Sequence, residues 1–205
     1  MKTYKVEKYY NLISVILITL CLIVVSIADG FAAAGRVRGE CLRLHILASS
    51  DSPEDQAVKL IVRDALLNES RGMFDGCKSS QDAVNIINEN KEEIESIVNK
   101  VLREQGFSYG CSVKIENEYF ETRQYDDVKL PAGEYTSCIV TLGEGEGKNW
   151  WCIMFPMLCI PAVSEEGSGD INAVFGQSGA DLVTEKSGYK VKFKIVEWFG
   201  ELFGK

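Results

Sequence analysis

The sequence predicts an α+β fold: an antiparallel or mixed sheet with two helices packed on one face, preceded by an N-terminal signal or anchor helix. Three observations predict it. They are an uncharged apolar run near the N-terminus, helical spacing of apolar residues between 52 and 105, and alternation of apolar and polar residues on either side of that region. The 205 residues suffice for one hydrophobic core with extensions.

The first 34 residues have the pattern of an export signal. Lys2, Lys5 and Lys8 precede an uncharged run, 12–27, and the three alanines at 32–34 supply the Ala-x-Ala pattern that a signal peptidase recognises. We expect cleavage after the last of these alanines. Retention as a membrane anchor is the alternative, because sixteen apolar residues are long for a cleaved signal and slightly short for a span of about 20.

Charge and cysteine content restrict the class of protein. The net charge of −8 argues against nucleic-acid binding, since affinity for phosphate depends on clustered Lys and Arg. Cys21 lies in the apolar run, and the other six cysteines form an even set, which in an exported protein permits disulfides without fixing their pairing. The presence of one histidine and the absence of a Cys-x-x-Cys motif argue against a metal site, and no cofactor is predicted.

The first predicted strand and helix follow the leader directly. Alternation over 42–47 places Leu42, Leu44 and Ile46 on one face of a strand. The segment 52–55 then combines an N-cap hydroxyl, a proline at the first helical position and acidic residues in the first turn. These features predict an amphipathic helix that ends near Glu69.

A second, long helix is predicted from a capping pattern at Ser79 and Asp82. Apolar residues three and four apart continue from there to about Gln105. Such an apolar stripe is typical either of a coiled coil or of a helix that covers a sheet. We favour sheet cover, because the heptads are few and Lys91 interrupts them.

The second half of the chain is predicted to be rich in strands. Alternation over 112–115 and 138–142 and the run 150–155 indicate strands. Glycines alternate with two glutamates over 143–147. Because the carboxylates would repel a phosphate and no Lys-Ser/Thr follows, we predict a flexible hairpin loop there rather than a phosphate-binding loop.

Four regions are assigned from composition. Residues 1–34 are the signal peptide or membrane anchor, and 35–161 are the exported α+β domain. Residues 162–188, rich in Gly, Ser and acids, are predicted to form a flexible linker. Residues 189–205 regain apolar character and are predicted to dock on the domain or on a partner.

A candidate surface includes Arg43 and His45 on the first strand and Lys59 and Arg63 on the first helix of the domain. The strand presents the first two together, and a tight turn leads straight to the helix. The alternative is that His45 packs beneath the helix and that Arg63 pairs with Asp64 in an ordinary surface pair worth little. Spacing alone favours this alternative.

Cys152 and Cys159 indicate either a disulfide or a thiol nucleophile. A secreted hydrolase acting on cell wall or protein would use such a thiol with His45 as its base. Against it, Trp151 and Phe155 create an apolar setting that raises the pKa of a thiol. We favour a buried or disulfide-bonded pair and predict no catalytic residue.

Three stretches resemble the signatures of one family. The first is RLHILASSDSPEDQAVKLIVRDAL, at 43–66, which is similar to the opening signature of the stage II sporulation protein R family. The second and third are LPAGEYTSCIVTLGEGEGKNWWCIMFPMLC, at 130–159, and KFKIVEWF, at 192–199. The resemblance covers most of the exported portion. Ser49, where the family usually has Asn, and Met157, where it usually has a second Pro, depart from it.

The resemblance implies a signalling protein rather than an enzyme. It implies synthesis in the forespore, export to the space between forespore and mother cell, and activation there of a membrane-embedded aspartic protease. That protease then cleaves the propeptide of a mother-cell sigma factor, sigma-E. The candidates for contact with the protease, or for supporting the contact, are Arg43, His45, Asp51, Asp55, Gln56, Lys59, Arg63, Trp150 and Trp151.

Overall fold

A computed structural model describes residues 2–74, 76–125, 128–156, 171–184 and 193–198. The helices are α1 Lys2–Gly39, α2 Pro53–Met73, α3 Ser80–Glu89, α4 Lys91–Glu104 and α5 Ile171–Val183. The strands are β1 Leu42–Leu47, β2 Cys111–Phe120, β3 Arg123–Tyr125, β4 Val128–Leu130, β5 Gly133–Leu142 and β6 Asn149–Phe155. Residues 193–198 are also helical.

The main sheet has four strands in the order β2-β5-β1-β6. β1 runs parallel to β5 and antiparallel to β6, and β2 runs antiparallel to β5. The short strands β3 and β4 pair with each other in a separate two-stranded sheet. The predicted α+β class with a mixed sheet is therefore confirmed.

The helices α2, α3 and α4 cover one face of this sheet. Their apolar residues pack on the alternate residues of β1, β2, β5 and β6, among them Leu44, Val113 and Val140. The predicted second helix is in fact two, because Asn90 lies between α3 and α4 with φ −109° and ψ 18°. The carbonyl of Ile86 accepts hydrogen bonds from both the backbone amide and the side-chain amide of Asn90, at 2.9 and 2.8 Å.

The last turns of α1 belong to the folded domain. Ala33 and Ala34 are buried against Leu182 of α5 and against Phe193 and Val196. The sequence predicts a flexible linker at 162–188, whereas α5 lies within this stretch and is helical. The helix is stabilised by burial of its apolar residues, among them Phe175 and Leu182. Nine of the 27 residues of that stretch are Gly or Ser, but its apolar residues suffice to dock a helical segment, which is kinked at Gly176 with φ 65° and ψ 170°.

Candidate functional site

The nine candidate residues divide into three groups, each defined here by its place in the fold. The aromatic face consists of Arg43, His45 and Trp151. The loop clamp consists of Asp51, Asp55, Gln56 and Lys59. The edge pair consists of Arg63 and Trp150.

The aromatic face lies on the side of the sheet away from α2. Successive residues of a strand point to opposite faces, and Leu42, Leu44 and Ile46 contact the helices. Arg43 and His45 therefore point to the other side. The hypothesis that they share one surface with Lys59 and Arg63 is wrong, and so is the alternative that His45 packs beneath the helix.

Arg43 is fully buried at the centre of the aromatic face. Its Nε donates to the carbonyl oxygen of Cys152 at 3.1 Å, and its Nη2 donates to the hydroxyl of Tyr125. The guanidinium carbon lies 4.1 Å from the ring centroid of Phe120 and 5.1 Å from that of Tyr135. Aromatic rings stabilise a buried cation in this way, so Arg43 links β1 to β2, β3, β5 and β6.

His45 and Trp151 stack beside this centre. Their ring centroids are 3.6 Å apart, and Nδ1 of His45 lies 3.0 Å from both carboxylate oxygens of Glu118 on β2. The Trp151 ring also meets Phe120 edge-on at 4.8 Å. The exposed Arg123 lies 5.8 Å from the Trp151 centroid. His45 is therefore a packed residue, whereas Trp151 reaches the surface.

The glycine-rich loop 143–148 crosses the end of β1. The predicted hairpin is wrong, because β1 lies between β5 and β6 in the sheet. Glu146 N donates to the carbonyl of Ser49 at 3.1 Å, and Gly147 N donates to that of Ala48 at 2.9 Å. Gly143 and Gly145 have φ of 55° and 69°, which glycine adopts without strain.

The loop clamp fastens this crossing. Asp51 Oδ1 accepts a hydrogen bond from Lys148 N at 2.7 Å. Gln56 Nε2 donates to the carbonyl of Ser50 at 2.8 Å. Lys59 Nζ donates to Gln56 Oε1 at 2.6 Å and to the carbonyl of Lys148 at 2.7 Å. These polar groups are thus used inside the molecule, where they join the start of α2 to the loop.

Asp55 is the buried carboxylate of the clamp. Ser50 Oγ donates to its Oδ2 and Tyr109 Oη to its Oδ1, both at 2.5 Å. Burial alone would raise the pKa of Asp55, but hydrogen bonds from Ser50, Tyr109 and Ser52 outweigh burial and hold the pKa below its usual value. The pKa of Tyr109 is raised by burial and by Asp55, so the phenol remains a donor.

We expect Asp55 to make the fold sensitive to acid. A carboxyl with a lowered pKa in the folded state adds stability above its unfolded pKa of about 3.9, and that stability is lost as pH falls through the folded pKa. Asp55→Asn should therefore weaken the dependence of unfolding on pH below about 4 and cost about 1.5–3 kcal/mol at neutral pH. Urea unfolding at several pH values measures both effects. Glu104→Gln, which removes an exposed carboxylate, is the control. Equal acid sensitivity of the parent, Asp55→Asn and Glu104→Gln would contradict the prediction.

The edge pair lies where α2 passes over β6. The Arg63 guanidinium carbon is 4.6 Å from the ring centroid of Trp150, and its Nη2 is 2.7 Å from Asp64 Oδ1. The predicted Arg63–Asp64 surface pair is therefore present. Trp150 and Trp151 are adjacent on an edge strand, so they project to opposite faces at the same point of the surface.

Cys152 is not the free nucleophile that the hydrolase hypothesis requires. Cys152 is disulfide-bonded and pairs in register with Leu44, so it lies on the helix-covered face, opposite His45. Burial raises the pKa of the Cys41 and Cys138 thiols to about 12. Cys159 lies outside the described residues, and its pairing with Cys152 stays a prediction.

Several important residues were not predicted from the sequence. Glu118, Phe120 and Tyr125 complete the aromatic face, and Tyr109 completes the loop clamp. Strand alternation places Glu118 and Phe120 on one face, but nothing local shows that this face meets Arg43. Within the described ranges, no group of three or more His, Cys, Asp or Glu side chains is arranged to hold a metal ion.

Comparison with known proteins identifies the family. The family model for stage II sporulation protein R matches residues 38–165, which include all nine candidates. The chain is 33% identical over 183 residues to stage II sporulation protein R of Bacillus subtilis (strain 168), an alignment that covers 80% of this chain and 82% of that protein. No solved structure matches. The chain belongs to the stage II sporulation protein R family.

Proposed function

We propose that this protein is an exported signal of sporulation that activates a membrane-embedded aspartic protease. The protease would then remove the propeptide of the mother-cell factor sigma-E. The observation that carries the proposal is the family match over 38–165, which spans β1 to β6. The geometry of the described residues supports binding rather than chemistry, because Cys152, which the alternative hydrolase hypothesis would combine with His45, is disulfide-bonded and lies on the opposite face of the sheet.

We place the contact with the protease at the exposed end of β6. Residues 149–151 reach the surface, whereas β6 is buried from Cys152 onward, so side chains and not strand addition would make the contact. Tryptophan and arginine dominate the binding energy of many interfaces. Here Arg63 is already stacked on Trp150 and Arg123 lies near Trp151, so little side-chain freedom remains to be lost on binding.

The loop clamp has a supporting role in this proposal. Asp51 and Lys59 both bond to Lys148, the residue that precedes β6, and so they fix where the strand begins. Activation itself requires only that the signal bind the active arrangement of the protease more tightly than the resting one. The protein needs no catalytic group of its own for this task.

Co-expression tests the proposal directly. The full chain, the protease and the unprocessed sigma factor are produced together in a host that does not sporulate, and the processed fraction is measured by gel. We expect processing only when the chain is present and the protease has its catalytic aspartates. Equal processing without the chain would refute the signalling role. Processing without an active protease would instead indicate that the chain is itself a hydrolase.

Arg63→Glu should lower processing at least tenfold at equal protein level. The substitution removes the stack on Trp150 and reverses a charge on the proposed contact, and tenfold corresponds to a loss of about 1.4 kcal/mol in binding. Thermal unfolding should change little, because Arg63 is a partly exposed residue in a surface pair.

Lys100→Glu is the matched control for this prediction. It makes the same charge reversal on α4, where Lys100 is exposed and lies 4.0 Å from Glu104. We expect the sigma factor to be processed as fully with Lys100→Glu as with the parent protein. Equal activity of both variants and the parent would exclude Arg63 from the contact. A third variant, Arg63→Lys, keeps the charge but loses the planar stack. Processing with this variant should therefore lie between that with the parent and that with Arg63→Glu.

A further inference from the structure

The apolar part of α1 has the properties of a complete membrane span. The uncharged stretch 9–28 contains 20 residues, which as a helix is about 30 Å long, the thickness of the hydrocarbon core. Its large apolar side chains are exposed on every side of the helix, including Leu12, Ile16 and Val24, each more than half exposed. A helix that is apolar all round and that the described part of the domain leaves uncovered fits lipid. Tyr9 and Tyr10 lie at its start, where interfacial aromatic residues are expected.

The same helix continues without a break into the domain. It runs to Gly39, and Gly30, Ala33, Ala34 and Val37 are buried. Val37 packs in a cluster with Phe175 and Val183 of α5, and Arg38 Nη1 donates to the carbonyl of Ala132 at 3.3 Å. The part of α1 that follows the span is therefore packed into the domain.

The Ala-x-Ala pattern lies within this packed region. Proteolytic cleavage favours exposed, irregular segments, whereas Ala33 and Ala34 are helical and at most 1% exposed. Cleavage during export, before folding, would also harm the domain. It would separate Leu182, Phe193 and Val196 from the two alanines on which they pack.

We propose that α1 is a retained membrane anchor and not a cleaved signal. The bilayer is the partner of its apolar surface, and the domain is held at the membrane by a helix that is continuous with its core. This inference does not depend on the proposed activation of a protease. Its test uses molecular mass and membrane association, which do not involve sigma-factor processing.

The test follows the full chain with a C-terminal epitope tag in a bacterial host. The mass of the exported protein and its presence in carbonate-washed membranes are measured, and an exported reporter with a cleaved leader shows that signal peptidase is active. Accessibility of the tag to external protease confirms export. We expect a full-length product in the washed membranes. A soluble product that begins at Gly35 would overturn the proposal.

Ala32→Arg provides a second arm. Ala32 is exposed on α1, so arginine fits the fold, but it removes the small residue that cleavage after Ala34 requires. We expect the variant and the parent to have the same mass, apart from the substitution, and the same membrane fraction. A variant that is longer than the parent would show that the parent is cleaved, and would refute the anchor.

Discussion

Arg43→Ala should lower the free energy of unfolding by about 3–5 kcal/mol, the largest single effect that we expect in this domain. The residue is fully buried, so truncation leaves a cavity among the rings of Phe120, Tyr125 and Tyr135. It also leaves the carbonyl of Cys152 without the hydrogen bond from Nε. Urea unfolding of the full chain in detergent, followed by tryptophan fluorescence, measures the loss as a shift in midpoint at constant slope.

Two further variants at this position separate the possible causes. Arg43→Met keeps most of the volume and removes the charge, and replacing a buried charge by an apolar side chain of similar size is often nearly neutral. Arg43→Lys keeps the charge and loses the planar guanidinium that stacks on the rings. We expect the methionine variant to be the more stable of the two. A near-normal alanine variant would show that the aromatic face does not depend on Arg43.

Gly147→Ala should cost about 2–4 kcal/mol, because it forces the loop away from the end of β1. A Cβ at Gly147 would lie 2.5 Å from the carbonyl carbon of Ser50 and closer still to its oxygen. Relief of that clash separates two backbone segments and breaks the hydrogen bonds from Glu146 to Ser49 and from Gly147 to Ala48. Each such bond contributes about 1 kcal/mol.

Amide hydrogen exchange locates this effect, and urea unfolding gives its size. Exchange should accelerate at the amides of 145–148 before it changes in the centre of the sheet. Gly72→Ala is the matched control. A Cβ at Gly72, on α2, meets nothing within 4 Å, so the same chemical change should be neutral or stabilise the helix by up to about 1 kcal/mol. An equal free energy of unfolding for Gly147→Ala and Gly72→Ala would show that the loop accommodates the extra Cβ without loss of stability.

The class of fold could be predicted because its signals are local. The period-two pattern of β1 and the capping residues before α2 are read within a few positions, and both elements are present. The order of the strands, by contrast, could not be predicted from local signals. That β1 lies between β5 and β6 depends on contacts between distant parts of the chain, so the loop after β5 was wrongly predicted as a hairpin.

The candidate residues show the same division between local and distant information. The family resemblance made Asp51, Asp55 and Lys59 candidates, but it did not show that their partners are Lys148 and Tyr109. The break at Asn90 also escaped prediction, because the apolar stripe continues in phase on both sides of it. Only the packed structure separates a polar group that supports the fold from one that is free to meet a partner.

The position of β1 has a consequence for the timing of folding. β1 begins at Leu42 and is the first strand to be made, yet both of its neighbours, which begin at Gly133 and Asn149, come late in the chain. The sheet therefore cannot close until nearly the whole domain has been synthesised, because a chain halted midway would have β1 without either of its neighbours. Sequence-distant pairings of this kind form slowly. The domain thus stays unfinished, and its sheet incomplete, until the last strand, β6, has been made.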